Sequence, residues 1–279
     1  MMTTRFPSQS IGDLSITAIS DGYLHAGFEL LSKIDPDEAC RIQTKAGMTD
    51  PMAIHINCYL VHGGGRTVLI DAGAGGFKQW GGRLKDNLLL AGIEPAAIDA
   101  ILLTHAHPDH VGGLIDDTGK AAFPNAELIA HRLELMFWED DGNLSRATER
   151  ARGNFLFARQ AFATYRDRLR TFDTGEVLPG MTAVPLPGHT AGHTGYRLES
   201  DGQNLLVWGD LVHFPEIQIP RPDVSIAFDQ DSHLAADTRS RLLDVVSTEG
   251  LRIAGMHLGE LGFARIKKIG GQYHIAYTG

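Results

Sequence analysis

Between Thr104 and Gly113 the chain reads Thr-His-Ala-His-Pro-Asp-His-Val-Gly-Gly, which places His105, His107, Asp109 and His110 within six residues. Imidazole and carboxylate together suit zinc and related first-row metals. Three later positions repeat these ligand types, each beyond an apolar run: His189 after Leu186, Asp210 after Trp208, and His257 after the run that begins at Leu251. Seven side chains are too many for one tetrahedral ion, which takes about four. They suit two divalent ions sharing a carboxylate, with His105, His107 and His189 on one, Asp109, His110 and His257 on the other, and Asp210 bridging. Two ions ~3.5–4 Å apart can hold a hydroxide between them and polarise a substrate oxygen, so hydrolysis would need no Ser or Cys nucleophile. Zn2+ is the expected metal, with Mn2+, Fe2+ or Co2+ open alternatives. Ligating histidines need hydrogen-bond partners at their second nitrogen, and Asp71, Thr104 and His193 are the candidates for this outer layer. His25, His55, His62, His131, His233 and His274 show no partner pattern and are read as ordinary.

The elements that must hold these residues follow from periodicity. Ala100–Leu103 reads as a buried strand delivering the His-rich loop, and Gly112-Gly113 permits a tight turn after it. Leu14–Ile19 alternates as a strand ahead of an expected turn at Asp21-Gly22. Ala53–Val61 and Thr67–Ile70 read as strands joined through Gly63-Gly64-Gly65. Further strands are expected at 127–130, 182–186, 194–198 and 204–208, at 251–256, and around Gly270-Gly271. Helices are expected over 35–47, with Asp35 as N-cap and Pro36 at the first helical position, and over 79–91, 132–138, 146–168 and 237–246. Interleaved strands and helices with several hairpins suggest mixed sheets covered by helices, an α/β (α+β) architecture. Two halves are visible, each with hairpin strands leading to a His-bearing loop. Residues 1–279 are read as one compact domain with a site at the seam. Residues 1–50 are an N-terminal extension in which Leu24, Phe28, Leu30 and Leu31 could form a pocket lid or a homodimer contact.

Composition removes several function classes. The apolar fraction is 43 %, the charged fraction 21 % and the formal net charge −9. No Lys/Arg cluster breaks that balance, so nucleic acid is not an expected partner. No apolar run approaches the ~20 residues of a membrane helix. Met1–Ser10 lacks the basic start and apolar stretch of a secretory signal, and the cytoplasm is the default location. Cys40 and Cys58 are read as two reduced thiols, core or half-buried.

The ligand motif His105-x-His107-x-Asp109-His110, followed in order by His189, Asp210 and His257 and preceded by Leu69-Ile70-Asp71-Ala72-Gly73, resembles the metallo-β-lactamase-fold hydrolases over roughly residues 50 to 260. The resemblance implies a four-layer αββα sandwich with the metals at one edge between the sheets. Ile19-Ser20-Asp21-Gly22, Pro187 through Thr194, and the stretch from Asp210 through Phe214 to Asp231 look like the branch holding methyl parathion hydrolase and related lactonases. That implies hydrolysis of lactones, esters or organophosphate triesters. Many N-acyl-homoserine lactonases carry a tyrosine three residues after the bridging aspartate, where this chain has His213. A histidine there could donate to a carbonyl oxygen or, with Asp109, help protonate a leaving alkoxide.

The expected substrate is a small neutral, apolar lactone or ester, with Phe137, Trp138, Phe155, Phe157, Phe214 and Phe228 as candidate pocket walls. A phosphotriesterase would share every ligand and differ only in the pocket. Asp210 argues against a two-zinc β-lactamase, which often lacks that carboxylate. Lys267-Lys268 is a thin basis for a glyoxalase-type thioesterase. A non-catalytic metal-binding protein would usually have lost ligands.

Overall fold

The computed structural model describes residues 6–278; the first five residues of the expected N-terminal extension and signal-free opening lie outside the described residues, as does Gly279. Two seven-stranded mixed sheets form the body. The first holds, in spatial order, β1 (Ser8–Ile11), β2 (Leu14–His25), β3 (Ala53–Gly63), β4 (Arg66–Ile70), β5 (Ala100–Leu102), β6 (Glu127–His131) and β7 (Leu169–Phe172). The second holds β8 (Gly175–Leu178), β9 (Met181–Pro185), β10 (Thr194–Ser200), β11 (Gln203–Val207), β12 (Arg252–Ala254), β13 (Phe263–Ile269) and β14 (Gln272–Tyr277). Pairing is antiparallel from β1 to β4 and parallel from β4 to β7. In the second sheet only the β11–β12 pair is parallel.

The alternation of side chains along a strand dictates the layering. Val68 and Ile70 of β4, and Ala100 and Leu102 of β5, face the second sheet and pack with Tyr196, Leu198, Leu205 and Val207. The intervening Leu69 and Ile101 face outward and pack with Leu88, Phe155 and Phe162. Leu206 of β11 likewise points away from the first sheet, onto Leu243 and Val246. Strands buried on both faces read as continuous apolar runs, which is why β4, β5 and β11 were legible. Helices α2 (Leu84–Leu90), α3 (Pro108–Val111), α4 (Arg132–Glu139), α5 (Asp141–Arg146) and α6 (Glu149–Thr164) follow the strands of the first half, after α1 (Pro36–Lys45). α7 (Pro215–Gln218) and α8 (Ser232–Glu249) belong to the second. The result is the αββα sandwich.

Local chemistry sets the boundaries. Asp35 caps α1 by accepting from the amides of Asp37 (3.0 Å) and Glu38 (3.2 Å). Gly64 and Gly65, at φ 58° and 75°, make the tight turn between β3 and β4. Two expectations fail for identifiable reasons. Asp21-Gly22 is not a turn but a β-bulge inside β2, opposite β3. The buried Asp21 carboxylate accepts from the amides of Ala74 (2.8 Å), Gly82 (3.0 Å) and Leu84 (2.8 Å), so it pins the glycine-rich 72–84 loop instead of turning its own strand. The helix expected over 79–91 starts only at Leu84, because Gln79 and Gly81 hold positive φ (67° and 51°) and Trp80 between them is extended. Conversely, α8 begins earlier than expected, capped by Asp231.

The 24–34 segment turns inward. Leu24, Phe28 and Leu31 pack on Phe214, Ile217, Val224 and Ile226 of the same chain. These three side chains are thus buried within their own chain, with Leu30 partly buried beside them. Cys58 is buried as expected, but Cys40 is exposed on α1.

Candidate metal centre

Each ligand sits where a core strand ends. β5 stops at Leu102, the chain continues through Leu103 (whose amide donates to Ile129), and His105 and His107 follow; Asp109 and His110 occupy the single turn of α3. His189 lies in the loop between β9 and β10, Asp210 after β11, and His257 after β12. The ends of both sheets therefore meet at one edge, and the backbone bond from Asn57 N to Met256 O (2.8 Å) ties β3 to the His257 loop.

Three imidazole nitrogens converge: His105 Nε2, His107 Nδ1 and His189 Nε2 lie 3.0, 2.9 and 3.1 Å from one another. A second group joins Asp109, His110, Asp210 and His257, all with ligand atoms within 4.8 Å. Asp210 Oδ2 is the hub, 3.2 Å from His110 Nε2, 3.1 Å from His257 Nε2, 3.4 Å from His189 Nε2 and 3.7 Å from His105 Nε2. All seven predicted ligands are thus brought together, in the two groups expected, with Asp210 between them.

The second nitrogens settle which atoms face inward. His110 Nδ1 meets Asp71 Oδ2 (2.7 Å), His189 Nδ1 meets Asp229 Oδ1 (2.9 Å) and His257 Nδ1 meets the carbonyl of His55 (2.7 Å). Those oxygens only accept, so the protons sit at Nδ1 and each Nε2 turns a lone pair inward. His105 Nδ1 faces the Thr104 hydroxyl (3.1 Å), whose proton goes to Asp71 (2.6 Å). Lone pairs facing one another at about 3 Å repel unless a cation lies among them. His110 Nε2 and Asp210 Oδ1 are, in addition, buried without a hydrogen-bond partner. The residues present therefore fit divalent metal ions, with the outer nitrogens of His105, His110, His189 and His257 oriented by an acceptor as such ligands require.

Burial, reinforced by the other imidazoles, holds His105 and His107 well below the ordinary histidine value, so they are neutral ligands at neutral pH. Burial likewise pushes His193 down to about 3 and His213 to about 4. His193 is not a ligand. Its Nδ1 meets the Leu186 carbonyl (2.8 Å), and its Nε2 accepts the Asp210 amide (2.9 Å), which fixes the bridging residue. Gly209 makes that approach possible, since a Cβ there would stand 2.3 Å from His193 Nε2. Asp71 itself adopts φ 59°, an uncommon conformation for a side-chain-bearing residue, while accepting from the Thr104 amide at 2.7 Å.

Sequence reasoning missed several supports. Glu134 on α4, 1 % exposed, accepts from the amides of Ala106 (2.9 Å) and Gly192 (3.0 Å), from the Trp138 indole (2.9 Å) and from the Thr190 hydroxyl. One carboxylate thus couples the His105–His107 loop to the His189 loop. Its signal in the sequence was a lone acid among Leu133, Leu135, Met136 and Phe137. Asp229, with a fully buried side chain, orients His189 and stands 3.8 Å from the buried Arg239 guanidinium. Arg239 also donates to the carbonyls of Leu211 (2.7 Å), Pro222 (2.7 Å) and Val224 (2.8 Å), locking the chain around Asp210 and Asp229. Glu134→Ala should destabilise the fold by ~3 kcal/mol or more, since it leaves several buried donors unpaired. A urea unfolding midpoint equal to the parent's would contradict that role.

Over the ligands lies a cavity of about 260 Å3, lined by His107, Asp109, Asp210 and His213 below, with Leu24, Trp80, Phe137, Trp138, Phe155 and Phe228 among its walls. Of the six aromatics expected there, two are elsewhere. Phe157 packs on Phe77 (ring centroids 4.8 Å apart) and Phe214 on Phe28 (5.4 Å) in the interior. His213 Nε2 stands 3.2 Å from Asp210 Oδ2, and its ring stacks on His257 at 5.1 Å.

The profile of the Metallo-beta-lactamase superfamily matches residues 53–257, which include all seven ligands. The chain belongs to this superfamily. Its fold is the metallo-beta-lactamase fold, and its His/Asp cluster could hold metal ions. The crystal structure of hydrolase AbOPH, described as in the beta lactamase superfamily, is 31 % identical, with a TM-score of 0.91 over 98 % of this chain and 97 % of that one. AidC, a dizinc quorum-quenching lactonase, is 27 % identical, with a TM-score of 0.89 over 98 % of this chain and 97 % of AidC. The uncharacterized protein YobT of Bacillus subtilis is 30 % identical over 162 residues, 57 % of this chain and 63 % of YobT. This superfamily member thus spans less than two thirds of the length of the first curated relatives it matches. No helix among the described residues is long and apolar enough to cross a membrane.

Proposed function

We propose that this chain is a dinuclear-metal hydrolase that opens lactones or cleaves carboxylic esters with neutral, apolar acyl or alcohol parts. The observation that carries the reading is the aromatic cavity seated directly on His107, Asp109 and Asp210. Among the described residues that line it, Lys78 is the one Lys or Arg, against two aspartate ligands at its floor and Asp229 at its side. That lining suits an uncharged guest that fills an apolar pocket and meets polar groups only at the reacting end. The likeness to AidC supports a lactone, and likeness to the methyl parathion hydrolase branch in sequence keeps a phosphotriester in the test.

Divalent ions held by the seven ligands would supply Lewis acidity and a lowered pKa of water, and Zn2+ is the proposed metal. The chain's own groups do the rest. Trp138, Phe155 and Phe228 hold the apolar part of the substrate and exclude bulk water. Asp71, Asp229 and the His55 carbonyl keep the ligand rings in one tautomer. His213 lies at the cavity floor beside Asp210, where its ring can hydrogen-bond the substrate oxygen on which charge develops. Cytoplasmic location is the proposed setting, in keeping with the unpaired, exposed Cys40.

The deciding experiment is a hydrolysis panel on metal-loaded protein: aliphatic and aromatic lactones, aryl esters and an aryl phosphotriester. Higher kcat/KM on lactones or esters is expected. A clear preference for the phosphotriester would move the assignment to that chemistry, and turnover of none would leave a metal-binding protein. Within this panel, His213→Leu, compared with the parent at matched metal loading because His213 groups with His189 and Asp210, should cut kcat on a lactone by about a hundredfold, within the range for a positioned proton donor or acceptor. An unaltered kcat would remove His213 from the mechanism.

A further inference from the structure

The segment that carries Lys78 and Trp80 to the aromatic cavity holds an unfavourable backbone. Lys78 and Gln79 follow one another at φ 50° and 67°, a region that side-chain-bearing residues seldom enter even singly. The bonds inside this tip are all short-range. They run from Phe77 N to Ala74 O, Gly76 N to Trp80 O and Gln79 N to Gly76 O (each 3.0 Å), and from Trp80 N to Phe77 O (2.8 Å).

What closes the segment comes from another part of the chain. The Asp21 carboxylate, 0 % exposed, takes the entrance with Oδ2, from the Ala74 amide at 2.8 Å. It takes the exit with Oδ1, from the Gly82 and Leu84 amides at 3.0 and 2.8 Å. The backbone of β2 adds two bonds of 3.0 Å, the Tyr23 carbonyl accepting from Gly81 and the Asp21 carbonyl from Arg83. Gly81 permits this approach, since a Cβ there would collide with Asp21 Oδ2. Held in this way, Trp80 packs against the cluster that contains Leu24 and Phe28 and lines the cavity. Its ring also meets Phe77 (5.8 Å), which rests on Phe157. Asp21 itself is not among the lining residues.

We infer that Asp21 is a positioning residue for substrate selection: by closing both ends of the 74–84 loop it holds Trp80 as a wall of the aromatic cavity. It thereby sets the length and bulk of the apolar part that fits. The kinetic consequence rests on the lactone or ester reading, whereas the hold on the loop does not. Asparagine in its place would keep one acceptor oxygen and turn an NH2 group toward the amides at the other end, donor facing donor.

Two measurements test the inference. At matched metal loading, Asp21→Asn should raise KM about tenfold for the longer member of a homologous pair, as loss of an aromatic contact predicts. Suitable pairs are γ-decalactone against γ-butyrolactone and ethyl octanoate against ethyl acetate. The shorter member should change less than about twofold, and kcat should hold for both. Trp80→Ala should reproduce the rise, and adding Asp21→Asn to it should bring less than about a further twofold, because the two act through one contact. Without any substrate, trypsin cleavage after the exposed Lys78 should quicken at least about tenfold in Asp21→Asn, ahead of any change at other sites. Gly81→Ala, which disturbs the same clamp from the loop side, should do likewise. Unchanged cleavage after Lys78 in both variants overturns the inference, as do full addition of the two effects and an equal loss on short and long substrates. A loss confined to kcat and metal affinity would make Asp21 a support of the metal centre instead. Turnover of none of these substrates would sink the hydrolase reading, and the proteolysis would still decide whether Asp21 holds the loop.

Discussion

Asp210→Ala should lower turnover by on the order of a thousandfold or more and take metal content with it, because the substitution removes the one carboxylate that both ligand groups face. The prediction is larger than for any outer partner. Losing such a partner typically costs about ten- to a hundredfold in metal affinity or activity, and that is the range expected for Asp229→Asn, read as metal affinity by competition with a chelating dye. The contrast separates a shared ligand from a supporting one. Elemental analysis of Asp210→Ala should show fewer than two ions per chain. Two retained ions together with full turnover would mean that Asp210 is not shared and that the two groups work separately.

The second large effect concerns stability. Seven ligands bring lone pairs and carboxylates together in an interior where His105, His110, Asp210 and His257 are all at most 2 % exposed. Such a cluster is costly without a cation and stable with one. A ligand at a thousand times its dissociation constant adds ~4 kcal/mol. At ~2–4 °C per kcal/mol for a chain of this size, chelation should lower the thermal midpoint by about 8–16 °C for each ion removed. Restoring zinc should bring the midpoint back. An identical midpoint with and without chelator would show that the imidazoles do not need an ion between them.

Much of this centre was legible in the sequence because of where polarity breaks into apolar runs. Strands β5 and β11 carry apolar side chains on both faces, so a His or Asp just beyond their ends has nowhere to go but the edge between the sheets. The supports were not legible for the opposite reason. Glu134 sits on a helix and reaches Gly192, 58 positions away. Asp21 reaches Leu84, 63 positions away, and what looked like a turn is a strand bulged to aim that carboxylate. Periodicity describes which face a residue is on, and it carries no information about a polar partner that distant in the chain. The aromatic walls show the same limit: Phe155 and Phe157 are two residues apart, and only the first reaches the cavity.

Glu134 and Trp138 are four residues apart on α4, one gripping both ligand loops and the other lining the cavity, with a bond of 2.9 Å between them. Phe228 and Asp229 repeat the arrangement as neighbours, wall beside grip. In the proposed enzyme, selectivity and metal hold would be soldered together at those two places. Laboratory selection for bulkier substrates should find its tolerated changes at Trp80 and Phe137, where remodelling the enclosure leaves the scaffold's clamps alone.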